Sequence, residues 1–321
     1  MTAVLVVGLL AAVVALGGAA GPALLHRLSP GLARRPRLGV ALWASAASAW
    51  TLALLALGPL LAWTVRGPAL PGTLGTTCQR CLEAASPFAS AGLSSPVPTA
   101  VLLGAPVALG AALTVAALRR RRADSSQQDE AVLDAVASRR TVHGAEVWVL
   151  PAPEVLAYAT SSRVVLSQGA LDLLDDAQLA AVVAHEQAHL RDRHHLVLGW
   201  LRTLASLLGR VPLVREAVPA VASFAEMAAD DAAVQTAGPR AVSGALLVLG
   251  TGALATATPT PAGALHAGRH EPLSRARRLV TPGAPPSGRG LASAVVGLAA
   301  LAAPTVLAVV PLATVSFGGV C

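Results

Sequence analysis

Residues 184–190 of this 321-residue chain read AHEQAHL, and this stretch decides how the remainder is interpreted. His185 and His189 are four positions apart, so on an α-helix they would share one face and could hold one metal ion between them. Glu186 would lie beside that face, within reach of a water molecule near the metal. Two imidazole ligands and an adjacent carboxylate base are typical of zinc-dependent hydrolysis of peptide bonds.

The residues around the motif predict that it is helical. Asp175 is a suitable N-cap, and Gln178 stands three positions later, as in a capping box. An apolar stripe at helical spacing follows, formed by Leu179, Val182, Val183 and Leu190. The polar residues of the motif interrupt this stripe and would be costly to bury without a partner, which a metal ion would supply. The alternative is a chance match, or three surface side chains that bind nothing.

Two histidines leave a catalytic zinc ion one protein ligand short. Glu226 is the best candidate, because Glu226 and Asp230 are four positions apart on a predicted helix and face the same way. Glu226 would bind the metal, and Asp230 would orient a ligand or a nearby arginine. In the alternative interpretation, Ser223 and Glu226 form a capping box at the start of that helix.

His194 is a second candidate for the third ligand, because some zinc proteases use a histidine nine positions after the first one. That longer pattern has a glycine where this chain has Asp192. His194 is therefore predicted to support the site or the fold without binding the metal.

The composition predicts a membrane protein. Hydrophobic residues make up 54% of the chain and charged residues only 13%. Four uncharged runs are long enough to cross a bilayer, namely residues 2–25, 39–65, 98–118 and 290–315. The net charge of +7 does not indicate direct nucleic-acid binding, because the arginines cluster at the ends of apolar runs and aromatic residues amount to only 3%.

The arginines also predict the orientation in the cell membrane. Residues 26–38 and 119–122 are rich in arginine, whereas the loop at 66–98 between them holds only two. By the positive-inside rule, the two arginine-rich segments are cytoplasmic. The N-terminus and the loop at 66–98 would then lie outside, and the chain from residue 123 onward would begin in the cytoplasm.

These features predict a mainly α-helical, multi-pass membrane protein in three parts. Residues 1–122 would form three transmembrane helices, residues 123–289 a cytoplasmic α+β protease domain, and residues 290–321 a last transmembrane helix. Strands are predicted at residues 146–150, 155–160 and 163–167, and helices at 196–209, 223–236 and 240–255. The helix at 240–255 is expected to pack in the core, because it is short for a bilayer, and a spanning role is the less favoured alternative.

Cys78 and Cys81 form a C-x-x-C pair within the predicted outside loop. Such a pair can be a local disulfide, a redox motif or half of a metal site. No second pair accompanies it in the sequence, so a disulfide in an oxidising compartment is favoured.

The chain resembles membrane zinc endopeptidases of the gluzincin type. The residues that carry the resemblance are the motif at 185–189, Glu226 with Asp230, the lead-in at 164–179, and His194. Two groups fit, the HtpX-like and CAAX-prenyl endopeptidases and the BlaR/MecR signalling proteases. Three spanning helices before the domain and one after it favour the BlaR/MecR layout. Only about six residues follow the last predicted helix, so the penicillin-binding sensor domain of that group is not expected.

The resemblance implies a Zn²⁺ enzyme that cleaves a protein substrate, such as a DNA-binding repressor or the protease itself, after an external signal. His185, His189 and Glu226 would bind the zinc and Glu186 would be the general base. The strand at 163–167 is expected to offer a sheet edge to the substrate. The alternatives are HtpX-like quality control of membrane proteins, and a non-catalytic zinc-binding receptor or scaffold. A transporter is disfavoured, because the predicted spans hold almost no ionisable residues.

Overall fold

The computed structural model describes residues 2–66, 96–123, 133–255 and 271–280 of the chain. The structure is mainly helical with one small sheet. Three long helices come first: α1 (Thr2–Leu32), α2 (Pro36–Arg66) and α3 (Pro96–Ala123). The predicted span at 290–315 and the pair of Cys78 and Cys81 lie outside the described residues.

Two of these helices could cross a membrane. Among the residues searched, Ala11–Leu32 in α1 and Pro36–Gly58 in α2 are long and apolar enough to do so. They correspond to the first two predicted spans. The third predicted span, residues 98–118, lies within α3, and its crossing of the membrane stays a prediction.

The second half of the chain contributes five helices to the described structure: α4 (Gln168–Leu173), α5 (Asp176–Arg191), α6 (His194–Leu208), α7 (Pro212–Ala255) and α8 (Glu271–Val280). Helix α7 bends at Gly238, whose φ of 82° lies in the left-handed region that glycine tolerates. The separate helices predicted at 223–236 and 240–255 are two parts of α7. Because α7 begins at Pro212, Ser223 is not its N-cap, and the capping-box interpretation of Glu226 is wrong.

Helices α6 and α7 form a hairpin that packs against the first two helices. Leu198 from α6 and Phe224 from α7 lie in one apolar cluster with Trp43 of α2. The indole Nε1 of Trp200 also donates a hydrogen bond to the Ser48 hydroxyl of α2, at 2.9 Å. The helix that carries Glu226 is therefore held against the apolar helices of the first half of the chain.

The sheet has four strands: β1 (Ser138–Val142), β2 (Ala145–Leu150), β3 (Ala157–Ala159) and β4 (Val164–Ser167). Their spatial order is β1-β2-β4-β3, with β2 and β4 parallel and the other two pairs antiparallel. Strands β2, β3 and β4 lie where strands were predicted. Strand β1 was not predicted, because its residues SRRTV are almost entirely exposed and lack apolar alternation.

The sheet order corrects the expected position of the free edge. Strand β4 was predicted to offer an edge to a substrate, yet it lies between β2 and β3, and all four of its residues are buried. The edges of the described sheet are β1 and β3. Of these two, β3 is the one that lies against α5.

Gly39 in α2 allows α7 to approach closely. A methyl group on this residue would lie 2.6 Å from the Phe224 ring, which is too short for a van der Waals contact. We expect Gly39→Ala to lower the free energy of unfolding by about 1–3 kcal/mol, because the ring must move within a packed core. Gly31→Ala is the control, since the space around Gly31 is open. Equal thermal stability of the two variants in detergent would contradict this packing.

Candidate active site

Helix α5 presents the two motif histidines on one face. Asp175 caps the helix and accepts a hydrogen bond from the backbone N–H of Gln178, whose side chain bonds back to the backbone N–H of Asp175. The predicted capping box is therefore confirmed. The imidazole Nε2 atoms of His185 and His189 lie 3.1 Å apart, so both nitrogens are directed at one point.

Helix α7 adds the Glu226 carboxylate to this point. Its two oxygens lie 3.5 Å from His185 Nε2 and 3.5 Å from His189 Nε2. A tetrahedral zinc ion with bonds of about 2.0–2.2 Å holds its ligand atoms about 3.3 Å apart, so this donor set has the right chemistry and spacing. All three side chains are largely buried. The structure thus brings together the three residues that were predicted as metal ligands.

The second ring nitrogen of each imidazole, Nδ1, has a partner of its own. One carboxylate oxygen of Asp230 lies 3.1 Å from His185 Nδ1. The Nδ1 atom of His194 lies 2.9 Å from His189 Nδ1. These contacts fix the ring orientations and leave the Nε2 atoms for a metal. His194 approaches the Nδ1 atom of His189, whereas Glu226 lies near its Nε2 atom, so His194 is not beside the three converging ligand atoms.

Glu186 lies beside the ligands on α5 and is buried. Burial raises the pKa of its carboxyl group to about 7, although the nearby His185 opposes this rise. The backbone N–H of Ala159, on the edge strand β3, donates a hydrogen bond to it. A carboxylate with a pKa near neutrality is suited to taking up and releasing a proton.

Carboxyl groups surround the two imidazoles of the pocket. Burial alone would lower the pKa of His185, but hydrogen bonds to Asp230 and Glu226 outweigh that effect and raise it to about 10. Burial opposes ionisation of Glu226 as well, yet its contacts with His185 and with the Arg275 guanidinium hold its pKa below the usual range. The three acidic groups outnumber the one guanidinium of Arg275, so the site favours a bound cation.

Arg275 of α8 is the site residue whose role the sequence did not reveal. Its Nη1 lies 2.7 Å from a Glu226 oxygen, and its Nε and Nη2 both bond the Asp230 carboxylate, Nε at 2.8 Å. The guanidinium is buried and ties α8 to α7. The signal in the sequence was the acidic pair Glu226 and Asp230 on one helix face, because Asp230 was expected to orient a ligand or a nearby arginine and buried carboxylates need a cationic partner.

We expect Arg275→Met to be strongly destabilising, because it leaves two buried carboxylates without their guanidinium. Breaking a buried ion pair on one side costs about 3–5 kcal/mol. Arg277→Met is the matched control, since Arg277 is exposed on the same helix. Thermal unfolding in detergent compares the two variants. If both unfold at the temperature of the wild type, the Arg275 contacts do not hold α8 in place.

Comparisons with known proteins agree with this geometry. The profile of Peptidase family M48 matches residues 90–259, which is more than half of the chain. A "Protease HtpX homolog" of Acidiphilium cryptum (strain JF-5) is 33% identical over 86 residues, which are 25% of this chain and 30% of that protein. A "Protease HtpX homolog" of Aquifex aeolicus (strain VF5) is 29% identical over 83 residues, which are 24% of this chain and 28% of that protein. No solved structure gives a significant match.

The two HtpX homologues match in less than a third of their own length, so they support the family and not a whole-protein function. The match to the family profile is broader and includes helix α5 with its two histidines, and Glu226 of α7. Together with the converging ligand atoms, it establishes that this chain belongs to peptidase family M48.

Proposed function

We propose that this protein is an integral-membrane zinc endopeptidase that cleaves peptide bonds in a protein substrate. The observation that carries the proposal is the buried convergence of His185, His189 and Glu226, with Glu186 beside them. A purely structural metal site has no need of a buried carboxylate base next to its ligands. The presence of Glu186 therefore favours an enzyme over a zinc-binding receptor or scaffold.

Zinc would be held by His185, His189 and Glu226, and when bound it lowers the pKa of water and polarises a carbonyl group. Glu186 takes a proton from the attacking water and later delivers it to the leaving amine. Asp230 and His194 keep the two imidazoles in the orientation that binds metal.

Strand β3 is the edge that we propose pairs with the substrate. Just beyond the two ends of β3, Thr160 N–H donates to the Arg163 carbonyl and the Leu156 carbonyl accepts from Ser167 N–H. Alternate residues of the segment 156–160 therefore bond toward β4. The backbone groups of Ala157 and Ala159 then face the other side, where Ala159 already contacts Glu186. An extended substrate segment added along this edge would lie beside the base.

Ala157→Pro tests this edge, because it removes an outward N–H and leaves the bonds to β4 intact. We expect kcat/KM to fall about tenfold, as for the loss of one backbone hydrogen bond in the bound complex, with zinc content unchanged. Thr141→Pro is the control on the opposite edge strand, where the tight turn at His143–Gly144 directs the Thr141 N–H outward. If the two variants lose the same activity, β3 is not the binding edge.

We also propose four spanning helices and a cytoplasmic site. Arg37, in the first turn of α2 beside the arginine-rich connection from α1, is paired with Asp192 at the end of α5, at 2.9 Å. The site therefore lies on the arginine-rich side of the two candidate spans, which the positive-inside rule assigns to the cytoplasm. Residues 1–122, 123–289 and 290–321 would be the membrane, protease and last membrane segments. Cysteine labelling tests this with Ala177→Cys, at an exposed position of α5, in a protein whose Cys78, Cys81 and Cys321 are replaced by serine. In sealed right-side-out vesicles we expect reaction only after permeabilisation, and reaction without it would contradict a cytoplasmic site.

Two substrate classes follow from two different observations. The similarity to HtpX homologues supports a quality-control protease of membrane proteins. The predicted three helices before the motif support a BlaR/MecR-type signalling protease that cuts a repressor or itself. Purified protein in liposomes would be given a soluble unfolded protein, an unfolded membrane protein, and no substrate. Cleavage of both added proteins supports quality control, whereas cleavage of the protease alone supports signalling.

A further inference from the structure

A cavity lies where the turn between α1 and α2 meets α7, and its lining includes none of the predicted metal ligands or Glu186. Its volume is about 310 Å³. Arg34, Arg35 and Arg37 line it from the turn and the start of α2, and Ala228 and Ala232 line it from α7. Three arginines therefore line one concave surface, and nothing in the proposed peptide cleavage uses Arg34 or Arg35.

The charges around the cavity are only partly balanced. Arg37 is paired with Asp192 at 2.9 Å. Asp231, which also lines the cavity, is paired with Arg278 at 2.6 Å. Arg34 and Arg35 are exposed, and within the described ranges no carboxylate lies at ion-pair distance from either of them. The cavity therefore has two guanidinium groups that no described carboxylate neutralises and that are available to bind an anion.

The position of the cavity favours one source of that anion. The turn that carries Arg34 and Arg35 joins the candidate spans Ala11–Leu32 and Pro36–Gly58, so it lies where two apolar helices end. This is the depth at which the phosphates of a bilayer lie. Guanidinium groups match phosphate oxygens in charge and in geometry, since each can donate two parallel hydrogen bonds.

We propose that this cavity binds the phosphate group of an anionic ligand, with Arg34 and Arg35 as the charged donors. An anionic phospholipid headgroup is the source that the position favours, and a soluble phosphate ester is the other source of the same chemistry. A bound headgroup would bridge the α1–α2 turn and α7. The proposal does not depend on peptidase activity.

Native mass spectrometry of the full-length protein in detergent tests the ligand chemistry. Dihexanoyl phosphatidylglycerol is the anionic probe, and dihexanoyl phosphatidylcholine has the same chains without the net charge. Glycerol 3-phosphate and inorganic phosphate are the soluble probes. We expect the anionic lipid to be retained at least about tenfold more tightly than the choline lipid. Equal retention of both lipids would overturn the proposal. Displacement of the lipid by an equal concentration of glycerol 3-phosphate would support the phosphate site and assign it to a soluble ligand.

Two variants locate the binding. Arg34→Gln with Arg35→Gln should weaken retention of the anionic lipid about tenfold or more. The control is Arg140→Gln with Arg240→Gln, which removes two exposed arginines that do not line the cavity. Ala232→Phe fills the cavity without changing its charge and should also weaken retention, so it decides the question if the arginine variant fails to fold. The proposal is overturned if the arginine variant retains the lipid as well as its control does. Undiminished retention by Ala232→Phe would overturn it as well.

Discussion

The Glu186→Gln variant is expected to bind one zinc ion per chain and to cleave its substrates about 10²–10⁴ times more slowly than the wild type. Glutamine has the same shape and can still accept the hydrogen bond from Ala159. It cannot take up a proton from water. Binding of zinc should be unaffected, because the three predicted ligands are His185, His189 and Glu226.

The measurement is the rate of cleavage of a test protein, with zinc counted in the same sample. Gln187→Ala is the control, because Gln187 is the next residue of α5 and its side chain is exposed. Its rate should equal that of the wild type. Undiminished cleavage by Glu186→Gln would show that this carboxylate is not the base. Loss of zinc from the variant would show that Glu186 is a ligand or supports one.

The Glu226→Gln variant is expected to lose zinc and activity together. Replacing a residue that only supports a ligand costs about 10–100-fold in metal affinity, so removing the charge of a direct ligand should cost at least about 100-fold. Arg275 would keep its contacts with Asp230, so the fold around the site should survive. Competition with a chelator of known affinity measures the loss.

Glu216→Gln is the control for this variant. Glu216 is on the same helix, ten residues and so about 15 Å before Glu226, and its carboxylate lies 2.8 Å from His26 Nε2. A partly exposed pair of this kind contributes about 0–1 kcal/mol to stability, so zinc affinity should stay at the wild-type value. A Glu226→Gln variant with normal zinc affinity would rule out Glu226 as a ligand.

The sequence could predict the features that local chemistry determines. The capping box at Asp175 and Gln178, the spacing of the two motif histidines and the acidic pair Glu226 and Asp230 all depend on residues within one or two helical turns. The first two apolar runs were identifiable by length and lack of charge alone. Such signals need no knowledge of the tertiary fold.

Other features depend on contacts between distant segments. Arg275 is 45 residues from Asp230 in the chain, and only the packing of α8 on α7 brings their side chains together. The free edge of the sheet depends on strand order, which the alternation of residues in β3 and β4 does not encode. The start of α7 at Pro212 was missed because Pro219 lies inside the helix, where a proline normally interrupts a helical pattern.

X-ray absorption at the zinc edge tests the central claim most directly, since it counts and identifies the atoms bound to the metal. For the purified full-length protein, together with a metal count, we predict one zinc ion per chain, two imidazole nitrogens and otherwise oxygen ligands at about 2.0–2.2 Å. Glu226→Gln should reduce the zinc count, and Glu216→Gln should not. A protein without zinc, or a zinc ion bound by sulfur at about 2.3 Å, would contradict a metal centre at His185, His189 and Glu226.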